Sequence, residues 1–322
     1  MPPGNRIFRF VISPFNPLLW VPLKFPFYTR TRDGSSVLNP PTLTGTLLLA
    51  LALELAIALA TPSLALAAQP AYPSVPVDMQ ARQVSEHVYY VQGAARIATD
   101  NAGFVSNAAF IVTSEGVVVF DTLGTPPLGY MLLEVIRGIT DAPVVRVYNS
   151  HYHADHMYGN QVFLDLGAII TAPRGAEDYL QGETAQLRLQ ERRSSLGQWV
   201  TGDTRLVVPG HYLETDETFT LGGVTLRAVN LGSAHSDGDL ILFVETDKVL
   251  LSGDMIFEGR VPFLGSANSG SWLEILEQLS ITDVAAVIPG HGKATDNPQQ
   301  IIDLTRRYLA HVRNVMQAAV DN

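Results

Sequence analysis

The chain has 322 residues, 47% of them hydrophobic, and a formal net charge of −10 because 31 acidic residues outnumber 21 basic ones. This is enough chain for one large domain or two small ones with a sizeable core. An acidic chain without a basic stripe argues against a nucleic-acid partner, because that binding depends on neutralising phosphates. The lack of cysteine excludes disulfides and thiolates, so any metal must be held by imidazole and carboxylate.

The first 67 residues have the plan of a secretory signal peptide with an atypically long N-terminal extension. Upstream arginines precede an apolar run at residues 47–60, and an A-x-A pattern predicts cleavage between Ala67 and Ala68. The alternative is a retained membrane anchor, which is disfavoured because the run is short and contains Glu54. We therefore expect a periplasmic or secreted protein without a stable membrane span after cleavage.

A Pro-rich linker is predicted at residues 68–84, followed by a single domain at residues 85–322. In this domain "HVYYVQG" reads as a strand, and "NAAFIVTSEGVVVFDTLG" reads as two strands joined at residues 114–116. "PPLGYMLLEVIRGI" predicts a helix. "APVVRVYNS" predicts a buried strand that ends at the segment "NSHYHADHMYGN", and a helix starts within "DHMYGNQVFLDLG".

The second half of the domain repeats the change from strands to helices. "AIITAP" predicts a short strand, residues 174–199 a polar helical stretch, and "VPGHYLETDE" a loop that carries His211. Further strands are predicted at Thr218–Leu221, Val224–Asn230, Leu240–Glu245, Lys248–Leu251 and Val284–Ile288, with helices at Trp272–Leu279 and Pro298–Ala319. This order suggests two sheets, each covered by helices on its outer face.

Four segments place metal-binding residue types at the ends of predicted strands. They are "HYHADH", "GSAHSDGD", "LSGD" and "PGHG". The candidate ligands are His151, His153, Asp155, His156, His235, Asp254 and His291. A lone His235 or His291 would more often be a hydrogen-bonded loop residue, but an H-x-H-x-D-H run is rare by chance. Seven ligands are too many for one tetrahedral zinc and suit two metals that share a carboxylate and a hydroxide.

With these four motifs the sequence resembles the metallo-β-lactamase superfamily over residues 85–320. The resemblance implies an α/β fold, a four-layer αββα sandwich with the site at one edge between the sheets. It implies one zinc held by His151, His153 and His235, and a second held by Asp155, His156 and His291. Asp254 would bridge them, as in glyoxalase II-like members, and Asp121 would orient the metal loop from behind the ligands.

Two bound divalent metals would lower the pKa of a bridging water, so that hydroxide is available to attack an ester, thioester or lactam carbonyl. Asp155 or Asp254 would pass a proton to the leaving group, and the substrate would be a small molecule. Zinc-dependent β-lactamases usually have cysteine or serine where this chain has Asp254, which disfavours lactam hydrolysis without excluding it. The basic residues expected to bind glutathione in glyoxalase II are not evident at the C-terminal end.

The segment "GDMIFEGRVPFLGSANSGSWLEILEQL" resembles the quinoprotein relay zinc metallohydrolases, a group of exported hydrolases. Arg260 in this segment is a candidate anion anchor, with a surface arginine as the equally good alternative, and Ser266, Asn268 and Ser269 are expected near the pocket mouth. His211 is a weaker candidate for the pocket lining. His87 and His311 are expected to be solvated.

Two other functions remain open from the sequence. One is a redox or sulfur-transfer enzyme with iron in the same ligand set, since imidazole and carboxylate also suit iron and manganese. The other is a non-catalytic metal-binding protein, which the complete ligand set disfavours.

Overall fold

The computed structural model describes residues 72–279 and 281–321. The predicted signal peptide and its cleavage site lie outside these residues. Within the described part, no helix has the length and apolarity needed to cross a membrane.

The N-terminal half forms a seven-stranded sheet whose strands follow their order in the chain. The strands are β1 (Ala81–Gln83), β2 (Val88–Val91), β3 (Ala108–Thr113), β4 (Gly116–Phe120), β5 (Val144–Tyr148), β6 (Ile169–Pro173) and β7 (His211–Leu213). Pairing is antiparallel from β1 to β4 and parallel from β4 to β7. The central strand β4 is buried along its whole length, as its sequence "GVVVF" requires.

The C-terminal half forms a five-stranded sheet in the order β12-β11-β10-β9-β8. Its strands are β8 (Glu217–Leu221), β9 (Val224–Gly232), β10 (Asp239–Val244), β11 (Val249–Phe257) and β12 (Ala286–His291). Only β11 and β12 pair in parallel among these strands. The carboxyl ends of β11 and β12 therefore lie at the same edge of this sheet.

Seven α-helices lie in the described residues. They are α1 (Pro126–Arg137), α2 (Ala154–Met157), α3 (Asn160–Leu164), α4 (Ala176–Gln181), α5 (Glu183–Leu196), α6 (Ser269–Gln278) and α7 (Pro298–Val320). Local sequence explains where the longer ones begin. Thr125 caps α1 by accepting the Leu128 N–H ahead of two prolines, and Asn297 caps α7 in the same way before Pro298.

Three apolar layers confirm the predicted αββα sandwich. Between the sheets, Ile111 and Val118 of the first sheet pack with Leu226 and Leu242 of the second. The outer face of the first sheet is covered by α1 and α3, through residues such as Leu132 and Phe163. The outer face of the second sheet is covered by α6 and α7, through residues such as Trp272 and Leu309. Both sheets are therefore covered on both faces.

The segment predicted as a linker is partly built into the domain. Val75 and Met79 are buried in the layer between the first sheet and its helices, and Ala81–Gln83 pairs as edge strand β1. The alternating prolines hid these contacts, because a single buried side chain every few residues gives no periodic signal.

Two predicted helices are each broken into two. The one that follows the histidine cluster is interrupted at Tyr158 and Gly159, where a side chain at Gly159 would collide with the Thr122 carbonyl. The polar helix at 174–199 is interrupted at Gly182, whose ψ of 166° is extended. The hydrophobic pattern reveals neither break, since the composition on both sides of each glycine is helical.

Two strand predictions were wrong. His211 begins β7 and does not lie in a loop. The strand that starts near Lys248 continues to Phe257, so Asp254 lies inside β11 and not after it. The pairing of β11 with β12 shifts register around Gly253, which has a φ of +50°. This irregularity redirects the strand where the ligand is needed.

Candidate metal centre

The two sheets and the segments that follow their strands bring the seven predicted ligands to one place. The end of β5 leads to His151 and His153, and the short helix α2 carries Asp155 and His156. From the second sheet come His235 after β9, Asp254 within β11 and His291 at the end of β12. Four of these histidines and Asp254 are buried, with at most 5% of each residue exposed: His151, His156, His235, His291 and Asp254.

The first group of donors is purely imidazole. One nitrogen from each of His151, His153 and His235 lies within 4.8 Å of the others. Nε2 of His235 is 3.0 Å from Nδ1 of His153. Three imidazole nitrogens converging at this spacing form the donor set that a zinc ion accepts in a site with an open position.

The second group combines imidazole with carboxylate. One donor atom from each of Asp155, His156 and His291 lies within 4.8 Å of the others. Oδ2 of Asp155 is 3.6 Å from Nε2 of His156 and 3.5 Å from Nε2 of His291.

Asp254 lies between the two groups. Its Oδ2 is 3.3 Å from Nε2 of His235, in the first group, and 3.3 Å from Nε2 of His291, in the second. Its Oδ1 is 3.2 Å from Nε2 of His156. A carboxylate within reach of donors from both groups is placed to bridge two cations.

The donor atoms meet a direct test of whether a metal fits. Nε2 of His151, Nε2 of His156 and Oδ1 of Asp254 are buried and have no hydrogen-bond partner of acceptable geometry. Leaving such groups unsatisfied costs free energy, so native proteins rarely bury them without a partner. A cation coordinated by these atoms would satisfy all three.

The protonation of the first group suits metal binding. Burial lowers the pKa of His235 to about 3 and holds the pKa of His151 well below its usual value. Burial also lowers the pKa of His153, against the pull of Asp155 and Asp254. All three rings are therefore neutral at pH 7, the form that coordinates a metal.

The second group holds a proton without metal. Burial lowers the pKa of His156, but Asp254, Asp121 and Asp155 raise it by more, so that it lies well above the usual value. Burial alone would raise the pKa of Asp254. His291 and His156 lower it by more, so that this pKa lies well below its usual value and the carboxylate stays ionised. A metal entering this group must displace the proton on His156.

Asp121 holds the segment that carries His151 and His156 by hydrogen bonds. Its carboxylate accepts hydrogen bonds from the Ser150 backbone N–H at 2.7 Å, the Ser150 hydroxyl at 2.8 Å and Nδ1 of His156 at 2.8 Å. Ser150 Oγ also lies 2.9 Å from Nδ1 of His151. Asp121 itself adopts a φ of +63°, an unusual conformation for a residue with a side chain. One carboxylate thus fixes a ligand and the backbone that precedes another.

Asn107 supports His291, and the sequence alone did not reveal it. Its amide nitrogen donates to the carbonyls of Pro289 and Gly292, at 2.8 Å each, on either side of the ligand. The Asn107 backbone N–H donates to the Gly290 carbonyl at 2.7 Å, and Nδ1 of His291 donates to the Val105 carbonyl at 2.7 Å. These bonds orient Nε2 of His291 toward the centre. Asn107 is remote in sequence and precedes a predicted strand, so no local signal identified it.

One glycine makes room for Asp254 and another for Ser150. A Cβ on Gly290 would lie 2.0 Å from Oδ1 of Asp254, and one on Gly253 would lie 2.3 Å from Cβ of Ser150. Both glycines belong to the motifs "LSGD" and "PGHG", which carry this signal in the sequence.

Asp239 anchors the loop that carries His235. It accepts hydrogen bonds from the Ala234 and Ser236 backbone N–H groups, at 3.2 and 2.8 Å, and from the Ser236 hydroxyl at 3.1 Å. Burial raises its pKa to about 7 despite these bonds. Its place in "HSDGD", four residues after His235, is the signal of this role in the sequence.

The donors open into a cavity of about 910 Å³. Arg260 lines it, with Nη1 3.5 Å from the Val105 carbonyl. Ser266 also lines it, with Oγ 3.3 Å from Nε2 of His153. Asn268 instead caps helix α6 just ahead of Ser269, and neither belongs to the cavity wall.

Among the remaining histidines, the exposed His211 is not part of the cavity wall. His311 is exposed on α7, as expected. The prediction for His87 was wrong: its side chain is only 25% exposed, and Nδ1 lies 2.8 Å from Oδ1 of Asp247. Asp247 comes from the turn between β10 and β11, far along the chain, so this pair was not visible in the sequence.

Comparisons with known proteins agree with the fold and the motifs. The family model described as the metallo-beta-lactamase superfamily matches residues 101–291. The chain is similar to a metallo-beta-lactamase type 2 of Bacteroides fragilis, with 24% identity over 67% of this chain and 80% of that protein. It is 24% identical to a metallo-beta-lactamase type 2 of Elizabethkingia meningoseptica, over 64% and 77% of the two chains.

Among solved structures, a metallo-beta-lactamase from Pontibacter korlensis superposes with a TM-score of 0.57 at 21% identity. The match covers 72% of this chain and 99% of that one. At this identity, the likeness is one of fold.

Proposed function

The chain belongs to the metallo-β-lactamase superfamily, and on that premise we propose that it is an exported dinuclear zinc hydrolase of ester, thioester or lactam bonds. The observation that carries the proposal is the position of Asp254 between an all-histidine donor group and a mixed carboxylate–histidine group. Two donor groups that share one carboxylate are suited to hold two metals. The absence of cysteine leaves nitrogen and oxygen donors, which suit zinc.

When bound, two divalent cations would supply a hydroxide near neutral pH and polarise the carbonyl that it attacks. The residues of the chain do the rest. His151, His153 and His235 remain neutral and hold their positions, while Asp121 fixes the orientation of His156.

Asp155 is the better candidate of the two carboxylates for handing a proton to the leaving group. Both carboxylates line the cavity, but the side chain of Asp155 is 22% exposed, whereas that of Asp254 is 5% exposed and is surrounded by three imidazoles. Arg260 is proposed to bind an anionic part of the substrate, because it lines the same cavity without a carboxylate in salt-bridge distance among the described residues.

β-Lactam hydrolysis is the second candidate. The relatives reported above are named metallo-beta-lactamases, which favours it. Asp254 favours the glyoxalase II-like alternative. A lactam substrate and a set of thioesters and esters distinguish the two candidate functions.

The test is turnover by the zinc-loaded protein of a chromogenic cephalosporin beside a panel of thioesters and esters. Turnover in either set that falls at least a hundredfold in Asp155→Asn supports the proposal. The exposed Asp141→Asn serves as a control that keeps the wild-type rate. Turnover that survives in Asp155→Asn, or no turnover of any member of the panel with both zincs bound, contradicts it.

A further inference from the structure

Helix α5 presents one face to the cavity above the metal centre. Thr184, Arg188, Arg192 and Leu196 all line the cavity, and they are spaced four residues apart along the helix. Residues at this spacing form a single stripe on a helix. Two arginines in the middle of the stripe therefore face the cavity together.

Arg192 is half-buried and carries an unsatisfied charge. No carboxylate of residues 72–279 or 281–321 lies within salt-bridge distance of its guanidinium. The chain has 31 acidic residues, so the lack of a partner is not a shortage of carboxylates. A half-buried guanidinium without a counter-charge is free to form charge-assisted hydrogen bonds with an oxyanion of a ligand.

Arg188 is partly satisfied but still available. It pairs with Glu191 at 2.5 Å on the exposed side of the same helix, and its own side chain is 44% exposed. Exposed pairs of this kind contribute little free energy, so a buried oxyanion can compete with Glu191.

Apart from the candidate metal ligands, two carboxylates line the cavity, those of Asp178 and Asp237. Neither lies within salt-bridge distance of Arg188 or Arg192 among the described residues. Asp237 accepts the Tyr152 hydroxyl at 2.9 Å and so has a partner of its own. The wall that the two arginines face therefore provides no carboxylate that neutralises their charge.

The stripe and the first donor group share one cavity, because Arg188, Arg192 and His153 all line it. Aromatic rings belong to the same wall: Tyr152 and Tyr179 stack with their centroids 4.0 Å apart, and Phe263 packs edge-on to His153 at 5.8 Å. A ligand that extends from the metals to the stripe would pass along these rings.

We propose that the cavity takes substrates with an oxyanion at the end remote from the scissile carbonyl, joined by an apolar stem and bound by Arg188 and Arg192. A pair of guanidinium groups suits carboxylate, sulfate and phosphate alike, since each offers two oxygens to a planar fork. The proposal rests on the proposed function for the position of the carbonyl at the metals. It assigns the opposite end of the substrate to helix α5.

The test measures binding to the zinc-loaded full chain and does not need turnover. The probes are butyrate, hexanoate and octanoate, each compared by calorimetry with acids of the same length that end in a second carboxylate, a sulfonate or a phosphonate. One carboxylate of every probe is available to the metals, so the comparison isolates the far end. The variants are Arg188→Gln/Arg192→Gln and, as a control of equal charge, Arg82→Gln/Arg227→Gln, whose arginines lie outside the cavity wall.

We expect at least one length to bind ten times more tightly with the second anion in the wild type and in the control. This preference should fall to less than threefold in Arg188→Gln/Arg192→Gln, with zinc content unchanged. The preferred head group distinguishes carboxylate from sulfonate and phosphonate. The proposal is overturned if no length shows a preference in the wild type, or if the preference survives in the α5 variant. Failure of the hydrolase proposal would appear separately, as absent turnover with the binding preference intact.

Discussion

Oδ2 of Asp121 accepts a hydrogen bond from Nδ1 of His156 at 2.8 Å, with no more than 2% of either side chain exposed. The same carboxylate holds the backbone of Ser150 just before His151. A side chain that belongs to neither donor group thus orients candidate ligands in both of them.

Asp121→Asn is expected to weaken zinc binding by about ten- to hundredfold, the range typical for groups that orient a ligand from behind. The carboxylate of Asp121 keeps the ring proton of His156 on Nδ1, which leaves the electron pair of Nε2 free for a metal. The neutral amide favours this tautomer less. Competition with a chromogenic chelator measures the affinity.

Asp247→Asn is the matched control, because Asp247 makes the same 2.8 Å contact with Nδ1 of His87 outside the metal centre. Equal losses of zinc affinity in the two variants would mean that Asp121 acts only through general stability.

Asn107→Ala should weaken the second metal site and spare the first. The variant removes two 2.8 Å hydrogen bonds to the carbonyls that flank His291, so this ligand loses its fixed direction. Zinc titration should show one affinity unchanged and the other reduced by about tenfold or more.

Asn230→Ala is the control. It also removes an amide that donates to two carbonyls, those of Leu213 and Glu214, but these lie away from the centre. Two unchanged zinc affinities in Asn107→Ala would refute the positioning role.

Gly290→Ala should disrupt the centre by contact alone. The added methyl group would lie 2.0 Å from Oδ1 of Asp254 and 2.6 Å from the Gly253 carbonyl carbon, so the bridging carboxylate must move. We expect a lower melting temperature and less than one zinc per chain. Gly210→Ala has nothing within 4 Å of its new Cβ and should match the wild type. Full zinc content in Gly290→Ala would show that Asp254 is not needed in its observed position.

Asp239 should make the metal-free protein less stable as the pH rises. Its pKa is about 7 in the folded state, against 3.8 for an ordinary aspartate, so the folded state holds the proton more tightly. A raised folded pKa means that the stabilising effect is complete below pH 4 and is lost between about pH 4 and pH 7.

Urea denaturation of the metal-free protein measures this effect. The wild type should lose stability relative to Asp239→Asn between about pH 4 and pH 7, whereas Asp141→Asn, an exposed control, should follow the wild type. A difference between wild type and Asp239→Asn that stays constant with pH would contradict the assignment.

The layers and the convergence of the candidate ligands could be predicted from the sequence for physical reasons. Short apolar runs rich in β-branched residues, such as "GVVVF" and "APVVRVY", are typical of buried strands, and histidines concentrated at their ends are rare by chance. The supports of the site were harder to predict, because Asn107 acts on His291 across 184 residues of sequence. Hydrogen bonds between remote segments leave no periodic trace, so their identification required the fold.

Other differences come from single residues that override a pattern. Gly182 and Gly159 break helices whose flanking sequences continue the helical composition. The apolar run of β11 ends at Leu251, but the strand continues through Gly253, which has a φ of +50°, so that Asp254 lies inside it. The short strand β7 has three residues and no alternation long enough to recognise.

The central claim is that Asp254 joins two metal sites, and elemental analysis of the purified full chain tests it most directly. We expect about two zincs per chain in the wild type and about one in His291→Ala, which removes a ligand of the second group only. One zinc in both proteins would contradict a dinuclear centre, and iron in place of zinc would contradict the proposed cofactor.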